Sequence, residues 1–397
     1  MNNAKSIFLI HSLMMVPGKF FSVFKFSSII FFLITASHCI CNAQSVEIYP
    51  PQQFGLEPIF KYGKIWKHTA HFEPAIEHNS FSGELNLMWL RMSNRYRSTM
   101  KQLPYAGLAV GYCSFGNEKV LGNEFYIIPN MQLKIFGNEE ISFWFKGGVG
   151  LAYLTKHYDA LTNPTNNVIA SSVNNASTVA FHFRMQANKS LLIVAGASFT
   201  HSSTGDVRLP NLGINIPTVD IGVEYFFRNQ KSIPAFLTFP EKKIFPVFTL
   251  RTGVGFNEIY IPDGPVYPEA VNDFSLGMNA KKHPHKFSFG LESVYNMANY
   301  FFLSEQEIGD HRKLNSISLA PYIEDEIQFG VISFSFTALY QIRTITLSGY
   351  PFYQKLGLQH YIFQSGKNES RKLSAGIFLT THLVNADYVS AMLSLQL

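Results

Sequence analysis

Cysteine, charge and long apolar runs are what this 397-residue chain is short of, and each shortage excludes something. Three cysteines are present, and Cys39 and Cys41 sit in a leader-like N-terminal stretch, so Cys113 is left as the one thiol of the mature part. No internal disulfide framework can be built from it, and stability has to come from packing and hydrogen bonding. Charged residues make up 15% of the chain. The formal charge of +5 falls to about +2 when the three lysines of residues 1–43 are taken away, and a near-neutral surface gives no case for nucleic acid. Beyond residue 43 there is no run of about 18 apolar residues, so no membrane helix is expected there.

What is present points one way. Lys19 and Lys25 precede the apolar run at 28–40, and Cys41-Asn42-Ala43 offers small residues of the kind a signal peptidase reads, so cleavage is expected before Gln44. The chain after it carries most of the 37 Phe and 19 Tyr, arranged in alternating segments of roughly ten residues. In lipid every backbone amide must be paired within the protein, and strands do this by closing into a barrel. Exported, alternating, aromatic and nearly free of cysteine describes a transmembrane antiparallel β-barrel; a periplasmic β-sandwich is the competitor.

Candidate strands fall at 59–66, 83–91, 106–114, 124–135, 141–153, 178–187, 191–203 and 218–227, with turn chemistry at Gly137-Asn138 and Ala187-Asn188-Lys189. A second set follows at 247–256, 273–279, 287–297, 316–323, 327–339, 354–363, 373–380 and 389–397, beyond a Pro- and Lys-containing stretch at 229–245. The expected organisation is a signal peptide at 1–43, a barrel portion at 44–228 and additional strands at 229–397. One all-β barrel of about 12–16 strands is favoured over an eight-stranded barrel with an added sheet or barrel. Thr380-Thr381-His382 echoes Phe199-Thr200-His201, and Gly253-Val254-Gly255 echoes Gly148-Val149-Gly150, which hints at duplication. Val384 stands where a second Ser203 would be.

Residues 191–227 concentrate the reactive side chains. Side chains of a strand alternate between its faces. His201 and Ser203 therefore continue the more apolar face of 191–203, and Asn215 shares parity with Val219, Ile221 and Val223. Asp220 and Glu224 point the other way, into the lumen. With the N-terminus in the periplasm and the strands running up and down in order, 154–177 becomes an external loop. His201 and Ser203 then stand near the outer rim, facing lipid.

At these residues the chain resembles the lipid A 3-O-deacylase family of outer-membrane barrels. That family carries His, any residue and Ser on its penultimate strand, then Pro-Asn, any residue, Gly-Ile and a Glu. Here the run reads His201-Ser202-Ser203 and Pro210-Asn211-Leu212-Gly213-Ile214 at matching spacing, with Asn215 at the Glu position. Gly148 to Leu154 and Thr162 to Asn167 also look like the exported acyloxyacyl-hydrolase-like proteins of Bacteroidetes. The resemblance spans about residues 45–228, whose eight strands match the family's eight-stranded barrel.

The resemblance implies an outer-membrane esterase that removes an acyl chain from lipid A, located in a Gram-negative outer membrane. Ser203 would be the nucleophile, His201 its general base and Asn215 the group that orients the imidazole. Backbone amides of Ser203 and Thr204 would serve as oxyanion donors. A serine needs an adjacent base to become nucleophilic, and an amide can orient that base without supplying negative charge. The implied partners are lipid A of the outer-leaflet lipopolysaccharide and the surrounding membrane lipids, with no cofactor and no metal; homodimerisation stays open. Asp206 lies close enough in sequence to be a stand-in acid, and Arg208 and Lys156 are candidates for lipid A phosphates. The alternative is a catalytically inactive barrel with a structural or transport role on the same scaffold.

Overall fold

A strand that turns leucine, isoleucine and phenylalanine outward is stable only where the outside is not water. The computed structural model, which describes residues 53–90, 104–227, 246–258, 262–280, 284–307, 309–329, 331–342, 351–365, 371–382 and 385–397, is built almost wholly of such strands. The first eight are β1 (Gln53–Gly63), β2 (Ser80–Leu90), β3 (Tyr105–Ser114), β4 (Asn123–Gly137), β5 (Ile141–Leu154), β6 (Val173–Gln186), β7 (Leu191–Ser203) and β8 (Ile214–Phe226). Each pairs antiparallel with the next, and β8 returns to β1, so the ladder has no free edge.

The second eight are β9 (Pro246–Glu258), β10 (Val266–Asn279), β11 (His285–Asn296), β12 (Ile317–Phe329), β13 (Ile332–Tyr340), β14 (Phe352–Ser365), β15 (Arg371–His382) and β16 (Asn385–Gln396). They close on themselves through β16 and β9. Two short helices, α1 (Met297–Glu305) and α2 (Arg312–Asn315), join β11 to β12.

The all-β, antiparallel barrel expected from the sequence is what forms, and sixteen strands are present among the described residues. They make two closed barrels rather than the single one favoured above. The reason lies in the bore. An eight-stranded barrel is just narrow enough for its own side chains to fill, and the inward side chains here reach one another across it. Arg184 on β6 bonds Glu57 on β1 at 2.9 Å, Lys146 on β5 reaches Glu84 on β2 at 2.5 Å, and Lys61 on β1 reaches the same carboxylate at 2.7 Å. In the second barrel Arg251 on β9 holds Glu324 on β12 through two bonds of 2.6 Å. A wider barrel would pull these partners apart and leave buried charges unpaired.

The outer walls are apolar. On β7, Val194 is fully buried while Ile193 is 40% exposed, and on β8 Val219 and Ile221 are more than 60% exposed. Aromatic pairs sit near the rims, such as Phe143–Phe183 at 4.6 Å between centroids and Tyr112–Phe125 at 5.3 Å. This is the arrangement of a membrane-spanning β-barrel. At one end of the first barrel the described connections are short turns: Asn138 Oδ1 accepts from the N–H groups of Glu140 and Ile141, and Asn188 Oδ1 from those of Ser190 and Leu191. The other end carries the long loops 64–79, 115–122, 155–172 and 204–213. Ile65, Phe72, Phe115, Leu121, Leu154, Val168 and Ile169 from that end pack in one buried cluster with Ala109, Ile128 and Ile214, so the loops roof the barrel.

Three local expectations change. Residues 173–177, read as part of the external loop, are the start of β6. Residues 324–326, left between two strands above, belong to β12, which runs on to Phe329, because Glu324 and Glu326 are inward strand residues bonded to Arg251 and Lys286. The two Gly-Val-Gly runs occupy unlike places, β5 being the fifth strand of its barrel and β9 the first of the other. His382 ends β15, the seventh strand of the second barrel, and His201 lies two residues before the end of β7, the seventh of the first. The expected leader, the stretch 229–245 and Val384 lie outside the described residues.

Candidate active site

Strand pairing decides which side chains can meet. β7 and β8 are joined by the hairpin 204–213, and His201 stands directly opposite Asn215 in their register. Across that pair His201 Nδ1 donates to Asn215 Oδ1 at 2.7 Å. Both continue the outward parity of their strands, beyond exposed Ile193 and Val219. Ser203 lies two residues further along the same face, about 7 Å from His201 between Cα atoms for an extended strand. It is buried, at 7% exposure.

The structure therefore brings His201 and Asn215 into contact and places Ser203 alongside. Among the described residues no hydrogen bond joins Ser203 Oγ to the imidazole. With Nδ1 engaged, Nε2 is the ring nitrogen left to face a hydroxyl, which is the division of labour in a serine triad. Hydrogen bonds of this kind are often long before substrate binds.

The Pro-Asn-x-Gly-Ile run has identifiable work. Gly213 adopts φ +75°, and a Cβ there would come within 2.7 Å of His201 Cε1. Glycine is what lets the hairpin return so close to the ring. The Gly213 N–H donates to Val168 O at 3.0 Å, tying the hairpin to the loop 155–172. Asn211 Oδ1 accepts from the Thr204 N–H at 2.9 Å, while Thr204 Oγ1 donates to Arg208 O at 2.7 Å. The Thr204 N–H expected to serve an oxyanion is thus occupied by Asn211, and the Ser203 N–H is the remaining backbone candidate.

Other singled-out residues fall elsewhere. Asp220 binds His182 Nε2 at 3.0 Å within the lumen, and Glu224 meets Arg184 at 2.9 Å. Asp206 cannot stand in for the acid: its backbone oxygen accepts from the Glu258 N–H of the second barrel, and its carboxyl lies among Glu258, Asp387 and Asn211. Burial and these two carboxylates raise its pKa to about 7. Arg208 is paired with Glu258 at 3.1 Å, and Lys156 is exposed. Cys113 is buried and packs in the apolar cluster. The asparagines of 155–172 fasten loops: Asn163 and Asn166 both donate to Val120 O, and Asn167 to His71 O.

Two groups at the site escaped the sequence reading. Ser202, between His201 and Ser203, turns inward and donates to buried Glu124 at 2.5 Å, a separate pair on the lumen side. His68, from the loop after β1, reaches the site from 147 residues away and meets Asn215 Nδ2 at 2.9 Å. Alternation after β1 carries the outward stripe through Tyr62, Lys64, Trp66 and His68, but nothing short of the β1–β8 closure says which strand that stripe adjoins. Trp66 itself packs edge-to-face on Phe199 at 6.4 Å, beside the histidine.

No family model matches the chain. No curated protein matches it either. Solved structures similar to it include the outer membrane enzyme PagL, at 13% identity, 43% of this chain and 98% of that one, and TM-score 0.28. Neisserial surface protein A is similar at 10% identity over 44% of this chain and 99% of its own, with TM-score 0.29. The outer membrane protein opdK from Pseudomonas aeruginosa is similar at 8% identity over 87% and 98%, with TM-score 0.20.

Proposed function

We propose that the chain is an outer-membrane esterase that removes an ester-linked acyl chain from lipid A by serine–histidine catalysis. The observation that carries this reading is the 2.7 Å bond from His201 to Asn215 on the outward face of the β7–β8 pair, with Ser203, itself buried, two residues further along the same strand face. Substrate would arrive by lateral diffusion in the outer leaflet, so a soluble binding cavity is not required.

In this scheme Ser203 Oγ attacks the ester carbonyl while His201 Nε2 accepts its proton. The oxyanion of the tetrahedral intermediate is held by the Ser203 N–H. Collapse breaks the bond to the sugar oxygen, which leaves with the proton from His201, and water then hydrolyses the acyl-serine by the same relay in reverse. Asn215 keeps the ring in the Nδ1–H tautomer but supplies no charge to the imidazolium. With no carboxylate to stabilise the imidazolium, turnover slower than that of an acid-containing triad is expected.

Transport through the first barrel is the weaker reading. Its bore is filled by Arg184, Lys146, Glu57 and Glu84, and its outer end is roofed by the apolar cluster. The full chain, purified in detergent and incubated with lipid A, should remove one hydroxyacyl chain as read by mass spectrometry. Ser203→Ala should abolish that loss and also abolish labelling by a fluorophosphonate probe. Unchanged lipid A with the wild-type chain would leave an inactive barrel as the reading.

A further inference from the structure

The amide of Asn215 has two orientations that differ by exchanging oxygen and nitrogen, and they have opposite consequences for the imidazole. With Oδ1 toward His201, the ring must carry its proton on Nδ1, and Nε2 holds the lone pair a general base needs. With Nδ2 toward His201, the amide donates to an unprotonated Nδ1, the proton moves to Nε2, and the ring cannot accept from a serine. A carboxylate at this position would have no such ambiguity, because both its oxygens accept. Replacing an acid by an amide thus creates an orientation problem as well as a loss of charge.

His68 stands on the other side of that amide. Its Nδ1 lies 2.9 Å from Asn215 Nδ2. The amide nitrogen can only donate, so His68 accepts there and holds its own proton on Nε2, the tautomer a solvated imidazole prefers. His68 is exposed, so Nε2–H can be satisfied by water. Its delivery is part of the fold: Gly63 pairs with Thr218, and the Trp66 N–H bonds Asn215 O at 2.8 Å in the same register. The chain beyond β1 therefore follows β8 up to the level of Asn215 and brings His68 to it.

We propose that His68 is a positioning residue that locks the Asn215 amide with its oxygen toward His201, and so keeps His201 in the tautomer able to act as a base. This rests on the esterase reading of the site. The chain Nε2–H His68 Nδ1, Nδ2–H Asn215 Oδ1, Nδ1–H His201 Nε2 is directional from end to end. Each donor faces an acceptor, and reversing the amide keeps its bonds only if both rings change tautomer, which costs exposed His68 the Nε2–H form it prefers in water.

The test is a cycle on the full-length chain with lipid A as substrate. His68→Ala should lower the ratio of competent to reversed amide about fivefold, the factor set by one hydrogen bond of ordinary net strength, so kcat should fall with the competent fraction, by up to about fivefold, and KM should be unchanged. On an Asn215→Asp background, where no amide remains to be turned, the same substitution should leave kcat unchanged. Equal losses on the two backgrounds, or no loss on either, would overturn the proposal. A second readout does not depend on turnover. In detergent micelles the ring ¹⁵N resonances of His201 should report Nδ1 protonated in the wild type, and in His68→Ala a shift toward Nε2–H. Unaltered resonances would count against the lock. If wild-type lipid A hydrolysis is absent or independent of Ser203, the esterase reading fails, while the resonances still decide on the lock.

Discussion

Gly213 holds the returning hairpin against the histidine ring, and the consequences of changing it can be stated. At φ +75° a side chain is disfavoured by about 1–2 kcal/mol, and its Cβ would sit 2.7 Å from His201 Cε1. Gly213→Ala should therefore push the ring out of line with Ser203. A displacement of about 1 Å lowers turnover about 10²-fold, so kcat should fall by that order while the barrel still folds; equal kcat in the variant would show that the ring is not held by this contact. At this scale the sequence was a good guide wherever the site is local. His201, Ser203 and Asn215 lie within fifteen residues, and strand parity put them on one face. His68 was invisible because its place depends on the register in which β1 closes onto β8, which no local pattern contains. The Thr204 N–H was misjudged for a related reason, since its acceptor, Asn211, is set by how the hairpin folds back.

Strand boundaries followed apolar alternation closely on β5 and β7, and failed where acidic residues run together. β7 begins and ends where alternation says it should. β12 does not, because Glu324-Asp325-Glu326 has the composition of a turn, and the structure spends two of those carboxylates on buried cations. Arg251 donates to Glu324 twice at 2.6 Å and lies 3.7 Å from Asp273, with its guanidinium 5.4 Å from the centre of the Phe378 ring. Removing it strands a buried carboxylate, which costs about 3–5 kcal/mol. Arg251→Ala should thus lower the unfolding midpoint of the second barrel. All three tryptophans, Trp66, Trp89 and Trp144, belong to the first. Tryptophan fluorescence should consequently keep its wild-type transition in detergent and urea while circular dichroism shows an earlier loss of part of the strand signal. Simultaneous shifts in both signals would mean that the two barrels unfold as one unit.

For the whole molecule, the point of interest is that the reactive hairpin of the first barrel is tied to the second. Glu258 at the end of β9 accepts from Arg208 at 3.1 Å and from the Leu209 N–H at 2.5 Å, and its own N–H donates to Asp206 O at 3.1 Å. The charged groups facing the Asp206 carboxyl are Glu258 and Asp387, and Glu258 is itself paired with Arg208. Burial and the two carboxylates raise the Asp206 pKa from its ordinary value to about 7. A carboxyl that is harder to ionise in the docked state binds its proton more tightly there than in the open state. Its contribution to docking is fully present below about pH 4, where the group is protonated in both states, and is lost as the pH rises through about 7. The hairpin should accordingly grip the second barrel more firmly at mildly acidic pH. Asp206→Asn keeps the shape and tolerates the left-handed backbone at φ 66°, but cannot ionise. Hydrogen–deuterium exchange of residues 204–213 should show wild-type protection falling relative to Asp206→Asn between about pH 5.5 and about pH 8. A constant ratio across that range would remove Asp206 as the group that couples pH to the hairpin.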